Sequence, residues 1–307
     1  MSSQLENLSG PQLGPILGAT LVTANLERVR QAYCQQLGFS LVREARVSPQ
    51  LADFWQAPAC ADQPMLILAA ANGDAWLRVI QMPSEQDIQP VQPLKRQGWM
   101  ALEVNVADVE AVRHTIQTDE FAIIGEPAYL QISDAIKAMQ LIGPAEEVSY
   151  LTEVQRPVPP FQLPQTNSFS GSLFIPVLAV PDRQQAVDFY QQLNQAEPAL
   201  LFDTKITVLN KAWQRPIEHQ YPVATLQLAG NSLFEIDQLP EAEPLQTATG
   251  QLPSGIAMIS CITRDLDGIA KRMNATIHSL DDPYYPASRA ILLKGSAGEL
   301  IELVQAC

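Results

Sequence analysis

Four segments of the chain open in the same way. An apolar run of strand length is followed by a polar residue at a cap position, and then by apolar residues three or four apart, the period of an amphipathic helix. Leu17–Thr23 leads to Asn25 and on to Leu26, Val29, Tyr33 and Leu37. Met100–Val106 leads to Asp108, then Val109, Val112 and Ile116. Phe174–Val180 leads to Asp182, then Ala186, Phe189, Tyr190 and Leu193, and Gln185 three residues after Asp182 completes a capping box. Ala257–Thr263 leads to Asp265, then Leu266, Ile269 and Met273. Short apolar runs bounded by turn residues follow each helix, among them Met65–Ala70, Trp76–Gln81, Ala224–Leu228, Leu233–Asp237, Ala290–Lys294 and Leu300–Gln305. One repeating module therefore reads as strand, helix, then about three strands.

Proline-rich polar stretches separate the modules, at Pro83–Arg96, Arg156–Gly171 and Pro240–Ser254. Such segments make poor helix or sheet interiors and read as linkers; the first residues, up to Leu13, read as a loose arm. A second order of repetition joins the modules in pairs. Phe54-Trp55-Gln56-Ala57-Pro58 in the first answers Ala212-Trp213-Gln214-Arg215-Pro216 in the third, and Glu126-Pro127-Ala128-Tyr129 in the second answers Asp282-Pro283-Tyr284-Tyr285 in the fourth. The chain is expected to form two halves, residues 1–156 and 172–307, joined by a linker at 157–171.

Composition narrows the partners. Nineteen Lys and Arg against 33 Asp and Glu give a net charge of −14 in 307 residues, with a pI near 4.6. Nucleic acid and anionic membrane surfaces are bound mainly through Lys and Arg, so neither is an expected partner. No apolar run is long enough for a transmembrane helix. The start of the chain lacks the basic and apolar regions of a signal peptide, and the expected location is cytoplasmic. Cys34, Cys60, Cys261 and Cys307 are scattered without CxxC spacing, which indicates neither a disulfide framework nor a zinc knuckle.

The opening Val22-Thr23-Ala24-Asn25-Leu26-Glu27-Arg28, the helix end Tyr33-Cys34-Gln35-Gln36-Leu37-Gly38-Phe39 and the closing Gly298-Glu299-Leu300-Ile301-Glu302-Leu303-Val304 resemble the vicinal oxygen chelate superfamily, the group of glyoxalase I, bleomycin-resistance proteins and extradiol dioxygenases. The resemblance spans residues 14–305. It implies an α+β chain of four βαβββ modules forming two cupped mixed-sheet half-barrel domains, two modules closing each half around a pocket. It also implies a small organic molecule as partner and a monomer or homodimer. Because this fold hosts isomerases, lyases, dioxygenases and plain binders, function rests on the site residues.

Enzymes of the superfamily place a metal ligand on a module's first strand and a Glu near the end of its last. Matching by the cap residue puts the first-strand position on Gly18, Ala101, Ile175 and Met258, and the last-strand position on Arg78, Tyr150, Glu235 and Glu302. Apolar groups at the first set do not ligate divalent cations, so neither metal nor cofactor is expected. Arg78 is expected to be an exposed strand residue, although it could meet an anionic ligand group. His114, His219 and His278 lie in unrelated segments without metal-binding spacing, His219 being closest to a repeated motif. Asp237 or His219 would complete a site if the match is shifted by a residue or two.

The resemblance puts Glu235 and Glu302 in one barrel, where they are the expected acid and base, since two carboxylates in an apolar cup titrate together and hold a proton more tightly. Ile175, Met258, Trp213, Tyr284, Tyr285 and His219 are the expected ligand-binding residues, and residues 172–307 the working half. Three functions remain open in this order: a metal-independent isomerase or lyase; a protein that sequesters an apolar or aromatic molecule; and a metal-dependent lyase or dioxygenase with a rearranged site.

Overall fold

The structure is a computed structural model that describes residues 10–82, 90–131, 133–282, 284–285 and 289–306. Part of the first expected linker, most of the N-terminal arm, Pro283 of the repeated motif and Cys307 lie outside the described residues.

Module one comprises β1 (Leu13–Thr23), α1 (Leu26–Gln36), β2 (Ser40–Arg46), α2 (Pro49–Phe54), β3 (Pro64–Ala69) and β4 (Leu77–Gln81). Module two comprises β5 (Gly98–Asn105), α3 (Val109–Thr115), β6 (Ala122–Leu130), β7 (Ser133–Ile142) and β8 (Val148–Val154). Module three comprises β9 (Leu173–Val180), α4 (Arg183–Asn194), β10 (Leu200–Lys205), α5 (Thr207–Ala212), β11 (Gln220–Leu228) and β12 (Ser232–Gln238). Module four comprises β13 (Gly255–Thr263), α6 (Leu266–Met273), β14 (His278–Ser279), β15 (Arg289–Lys294) and β16 (Leu300–Gln305). All four expected helix starts are present. The side chains of Asn25, Asp108, Asp182 and Asp265 each accept a hydrogen bond from a backbone N–H in the first turn of their helix, a cap worth about 1 kcal/mol.

The strands form two eight-stranded mixed sheets. The first runs β14-β15-β16-β13-β1-β4-β3-β2, and the second β10-β11-β12-β9-β5-β8-β7-β6. Each sheet therefore joins modules from opposite halves of the chain. Module one pairs with module four through antiparallel β1 and β13, and module two pairs with module three through antiparallel β5 and β9. This corrects the expectation that residues 1–156 and 172–307 each close a barrel of their own. Every residue of β5 and β9 is buried, so the pattern along these strands reports burial on both faces without naming the neighbour.

Within each half of the sequence the two modules are held together differently, by side chains. The Tyr33 hydroxyl on α1 donates to Glu147 Oε1 at 2.7 Å, and the Tyr190 hydroxyl on α4 donates to Glu299 Oε1 at 2.8 Å. Each carboxylate also accepts from a backbone N–H in its own turn, Ala145 and Ala297 respectively. Module one is thus tied to module two, and module three to module four, by the same tyrosine-to-turn contact.

Alternation along the strands sorts side chains onto two faces. Leu21, Val79, Ile259, Cys261 and Leu303 of the first sheet, and Leu102, Val104, Leu151, Leu178 and Val180 of the second, share one core with the buried faces of α1, α3, α4 and α6. The opposite faces form two separate cups. One is filled by Val22, Trp55, Ile80, Met258 and Val304 among others, the other by Ala101, Tyr150, Ile175, Val177 and Val223 among others.

Candidate functional site: two cups of opposite electrostatics

Strand register places four residue pairs at corresponding points of the modules. Thr20 lies beside Arg78, Glu103 beside Tyr150, Val177 beside Glu235, and Ser260 beside Glu302. The last-strand residues are those expected. The first-strand partners fall two residues beyond Gly18, Ala101, Ile175 and Met258, on the same face. Two of the pairs meet in each cup. Glu235 lies in the second sheet and Glu302 in the first, so the expectation that they form one acid–base pair is corrected.

The cup of the first sheet is electrically closed. Arg78 and Glu302 are both fully buried, and Arg78 Nη2 lies 3.1 Å from Glu302 Oε2. The remaining guanidinium donors reach Thr20 Oγ1 at 2.8 Å and the Tyr285 hydroxyl at 2.9 Å. Glu302 accepts from Trp55 Nε1 at 2.6 Å, from the Tyr285 hydroxyl at 2.8 Å and from the Ser260 hydroxyl. The rings of Trp55 and Tyr284 each lie 4.6 Å from the guanidinium carbon, a cation–π arrangement. Arg78 is therefore the reverse of the exposed strand residue expected. Its charge sits where the resemblance implies a metal, so these residues do not fit a metal ion, and Glu302 has no free oxygen to offer a substrate. Met258, Tyr284 and Tyr285 belong to this sealed cluster.

The cup of the second sheet has the opposite character. Glu103 on β5, Glu235 and Asp237 on β12, and Tyr150 on β8 share one face of the sheet within the run β12-β9-β5-β8. Asp237 is fully buried and Tyr150 is 8% exposed; among the described residues, neither carboxyl oxygen of Asp237 nor the Tyr150 hydroxyl has a hydrogen-bond partner. Glu103 accepts from the Thr152 hydroxyl at 2.6 Å. Among the described residues, no ion pair involves any of the three acids. Burial pushes the Glu103 carboxyl up to about 8, with the Glu235 charge adding to the shift. Burial pushes Glu235 up to about 7, and burial with the neighbouring Glu235 holds Asp237 well above the usual carboxyl range. Tyr150 is raised by burial and then by the charges of Asp237, Glu235 and Glu103. Glu235 is only partly buried, and half-buried Ile124, Ile142, Phe202 and Ile206 pack against the apolar wall. This cup is an acidic floor in an apolar surround.

Of the other expected residues, Ile175 lines this cup and lies opposite Glu103 in the strand register. Trp213 packs on the same wall but directs its Nε1 to the Leu94 carbonyl at 3.0 Å. His219 lies at the edge, 2.9 Å from Arg215 Nη1 and edge-on to Tyr221 at 4.8 Å. Glu103 and Tyr150 come from the first half of the chain, so the acidic cup draws on both halves and not on residues 172–307 alone. A lone carboxylate inside the buried run Met100–Val106 was the available signal for Glu103; alternation with Ala101 places it on the cup face. Among the described residues, no group of three His, Cys, Asp or Glu side chains is positioned to hold a metal ion, and Val177 presents an apolar side chain at the remaining ligand position. The residues of this cup do not fit the superfamily metal either.

No protein-family model matches the chain, and no curated protein matches it in sequence. Solved structures do. The chain is similar to glyoxalase I from Zea mays, with a TM-score of 0.60 and 16% identity over 94% of this chain and 92% of that one. It is also similar to a putative dioxygenase from Bacillus subtilis, with a TM-score of 0.62 and 10% identity over 97% of this chain and 86% of that one. The fold is shared with both over nearly the whole of this chain. Among the described residues no helix is long and apolar enough to cross a membrane.

Proposed function

We propose that the chain is a metal-independent isomerase or lyase that moves a proton on a small organic molecule in the cup of the second sheet. The observation that carries this reading is the group of Glu103, Glu235 and Asp237, three carboxyls in an apolar site with no cation paired to them among the described residues. Burial raises their affinity for protons, and Glu235, at about 7, is balanced between acid and base at neutral pH. That balance is the condition for efficient general acid–base catalysis. Glu235 is the part-exposed member of the group, so it exchanges the proton with substrate. Asp237 shares the titration of its neighbour, and the like charges keep at least one proton on the pair. Glu103, held by Thr152, and Tyr150 hold protons and orient the bound molecule. In the first sheet, the Arg78–Glu302 cluster is a structural element.

The test is hydrogen exchange. The protein, dialysed against a chelator, is incubated in heavy water with a panel of small carbonyl compounds bearing an adjacent C–H bond. Stereospecific deuterium uptake by at least one compound, lost in Glu235→Gln, is the expected result. Saturable binding without exchange by any compound would instead make the protein a sequestering one. Exchange that requires an added divalent metal would overturn the reading.

A further inference from the structure

The two cups are internal comparisons for each other, because register puts Glu302 and Glu235 at the same point of modules four and three. In the first cup the carboxylate meets a cation carried by the chain itself, with hydroxyl groups of Thr20 and Ser260 beside it and aromatic faces of Trp55 and Tyr284 over it. In the second cup Glu235 remains and the cation does not. Tyr150 stands on the last strand of module two, where Arg78 stands in module one. Asp237 and Glu103 add two further acids on the same face, and Val177 replaces a hydroxyl.

We infer that the second cup binds an organic cation, an ammonium or guanidinium group attached to an apolar body, seated on Asp237 and Glu235; the inference rests on the same cluster as the acid–base reading. Three properties of the cup select this class. Asp237 is fully buried, with both oxygens unpartnered among the described residues, and a buried carboxylate is costly unless it is paired and hydrogen-bonded. An ammonium or guanidinium brings both positive charge and N–H donors. The Tyr150 hydroxyl, buried and unpartnered beside these acids, offers a hydrogen-bonding group of its own. A hard inorganic cation suits the cup less well, since calcium takes six to eight oxygens and magnesium demands an octahedron, whereas Thr152 already holds Glu103 and Val177 is apolar. Half-buried Ile142, Phe202 and Ile206 pack against the apolar wall of the same cluster, which suits an apolar body better than a hydrated ion.

With no cation bound, the cluster relieves its charge by holding protons, so binding of a cation displaces them. The experiment uses the full chain with phenethylamine and phenethylguanidine, against 2-phenylethanol as the neutral analogue and 3-phenylpropanoate as the anionic one. Isothermal calorimetry is run in two buffers of different ionisation enthalpy. At least one cation is expected to bind with Kd of about 1 mM or tighter, at least about tenfold more tightly than the alcohol, with the carboxylate weakest. Binding at neutral pH is expected to release protons. Asp237→Asn should cost the cation about tenfold or more and the alcohol much less; circular dichroism checks that the variant is folded, and Glu235→Gln serves as a second variant. Equal affinity for amine and alcohol, no saturable binding by either cation, an unchanged preference in both variants, or stoichiometric displacement of the amine by Mn²⁺ would overturn the inference. Loss of the cation preference with Glu235-dependent deuterium exchange intact would reject the ligand class alone. Cation binding with exchange indifferent to Glu235 would reject the catalytic reading alone.

Discussion

Arg78 and Glu302, 224 residues apart in sequence, meet at 3.1 Å in the interior of the first sheet. The contact joins β4 of module one to β16 of module four and is made without solvent at either side chain. Removing one partner leaves the other charge buried and unpaired, which typically costs about 3–5 kcal/mol. Arg78→Met is therefore expected to lower stability by that order in urea unfolding. The double variant Arg78→Met with Glu302→Leu is expected to be more stable than Arg78→Met alone, because the orphaned carboxylate goes with its partner. Additive losses would show that the pair is not the energetic unit described.

Stability is expected to fall as pH rises, across a window set by the buried carboxyls. Glu103, Glu147 and Glu235 have an ordinary value of 4.5 and are held at about 8, about 7 and about 7 in the folded chain. The unfolded chain loses these protons first, so between pH 4.5 and 8 the folded state binds more protons and each further pH step favours unfolding. Below 4.5 and above 8 these groups contribute no slope. Urea midpoints that rise through this window would contradict it; Glu103→Gln should flatten its upper part.

Tyr33→Phe and Tyr190→Phe test the link within each half of the chain. Each removes a buried hydroxyl donor to a carboxyl, Glu147 or Glu299, and hydrogen bonds to charged acceptors are worth about 1.5–3 kcal/mol. The cost of Tyr33→Phe is expected to be larger above pH 7 than below, since Glu147 is ionised there and the lost bond favours its charged form. The two losses should add to within about 0.5 kcal/mol, as the sites share no partner. A cost independent of pH for Tyr33→Phe would mean that the bond serves the protonated carboxyl equally.

The elements are legible in the chain because each module repeats a local signal. Asn25, Asp108, Asp182 and Asp265 cap their helices as the apolar spacing implies. Module pairing is not legible. β5 and β9 are buried throughout, and a strand buried on both faces carries no mark of which edge it joins. The candidate site suffers from the same degeneracy. A match by cap residue that falls two positions early keeps the correct face, so Ala101 stands where Glu103 belongs and Met258 where Ser260 belongs, with no violation of pattern to reveal it. Arg78 departs from expectation for a different reason. Arginine on a strand is ordinarily exposed, and its burial is made tolerable by Glu302 and Tyr285, partners from the far end of the chain.

Glu235→Gln is expected to uncouple stability from function. The carboxyl lies beside Asp237 and raises the proton affinity of both Asp237 and Glu103, so above the window in which these groups titrate it contributes repulsion among unpaired charges. Glutamine keeps the shape and one acceptor while removing that charge. The variant is therefore expected to be more stable than the parent at pH above 8, by about 1–3 kcal/mol, the usual range for relieving a buried polar group left without compensation. Near pH 4.5 the parent side chain is itself protonated and the difference should vanish. The same substitution should abolish deuterium exchange, because an amide can neither accept nor return the proton. Stability gained where activity is lost is the pattern of a site held in an unfavourable arrangement for its chemistry. Urea unfolding of parent and variant at both pH values decides it. A variant less stable than the parent at alkaline pH would mean that Glu235 is a satisfied structural carboxylate, as Glu302 is in the other cup.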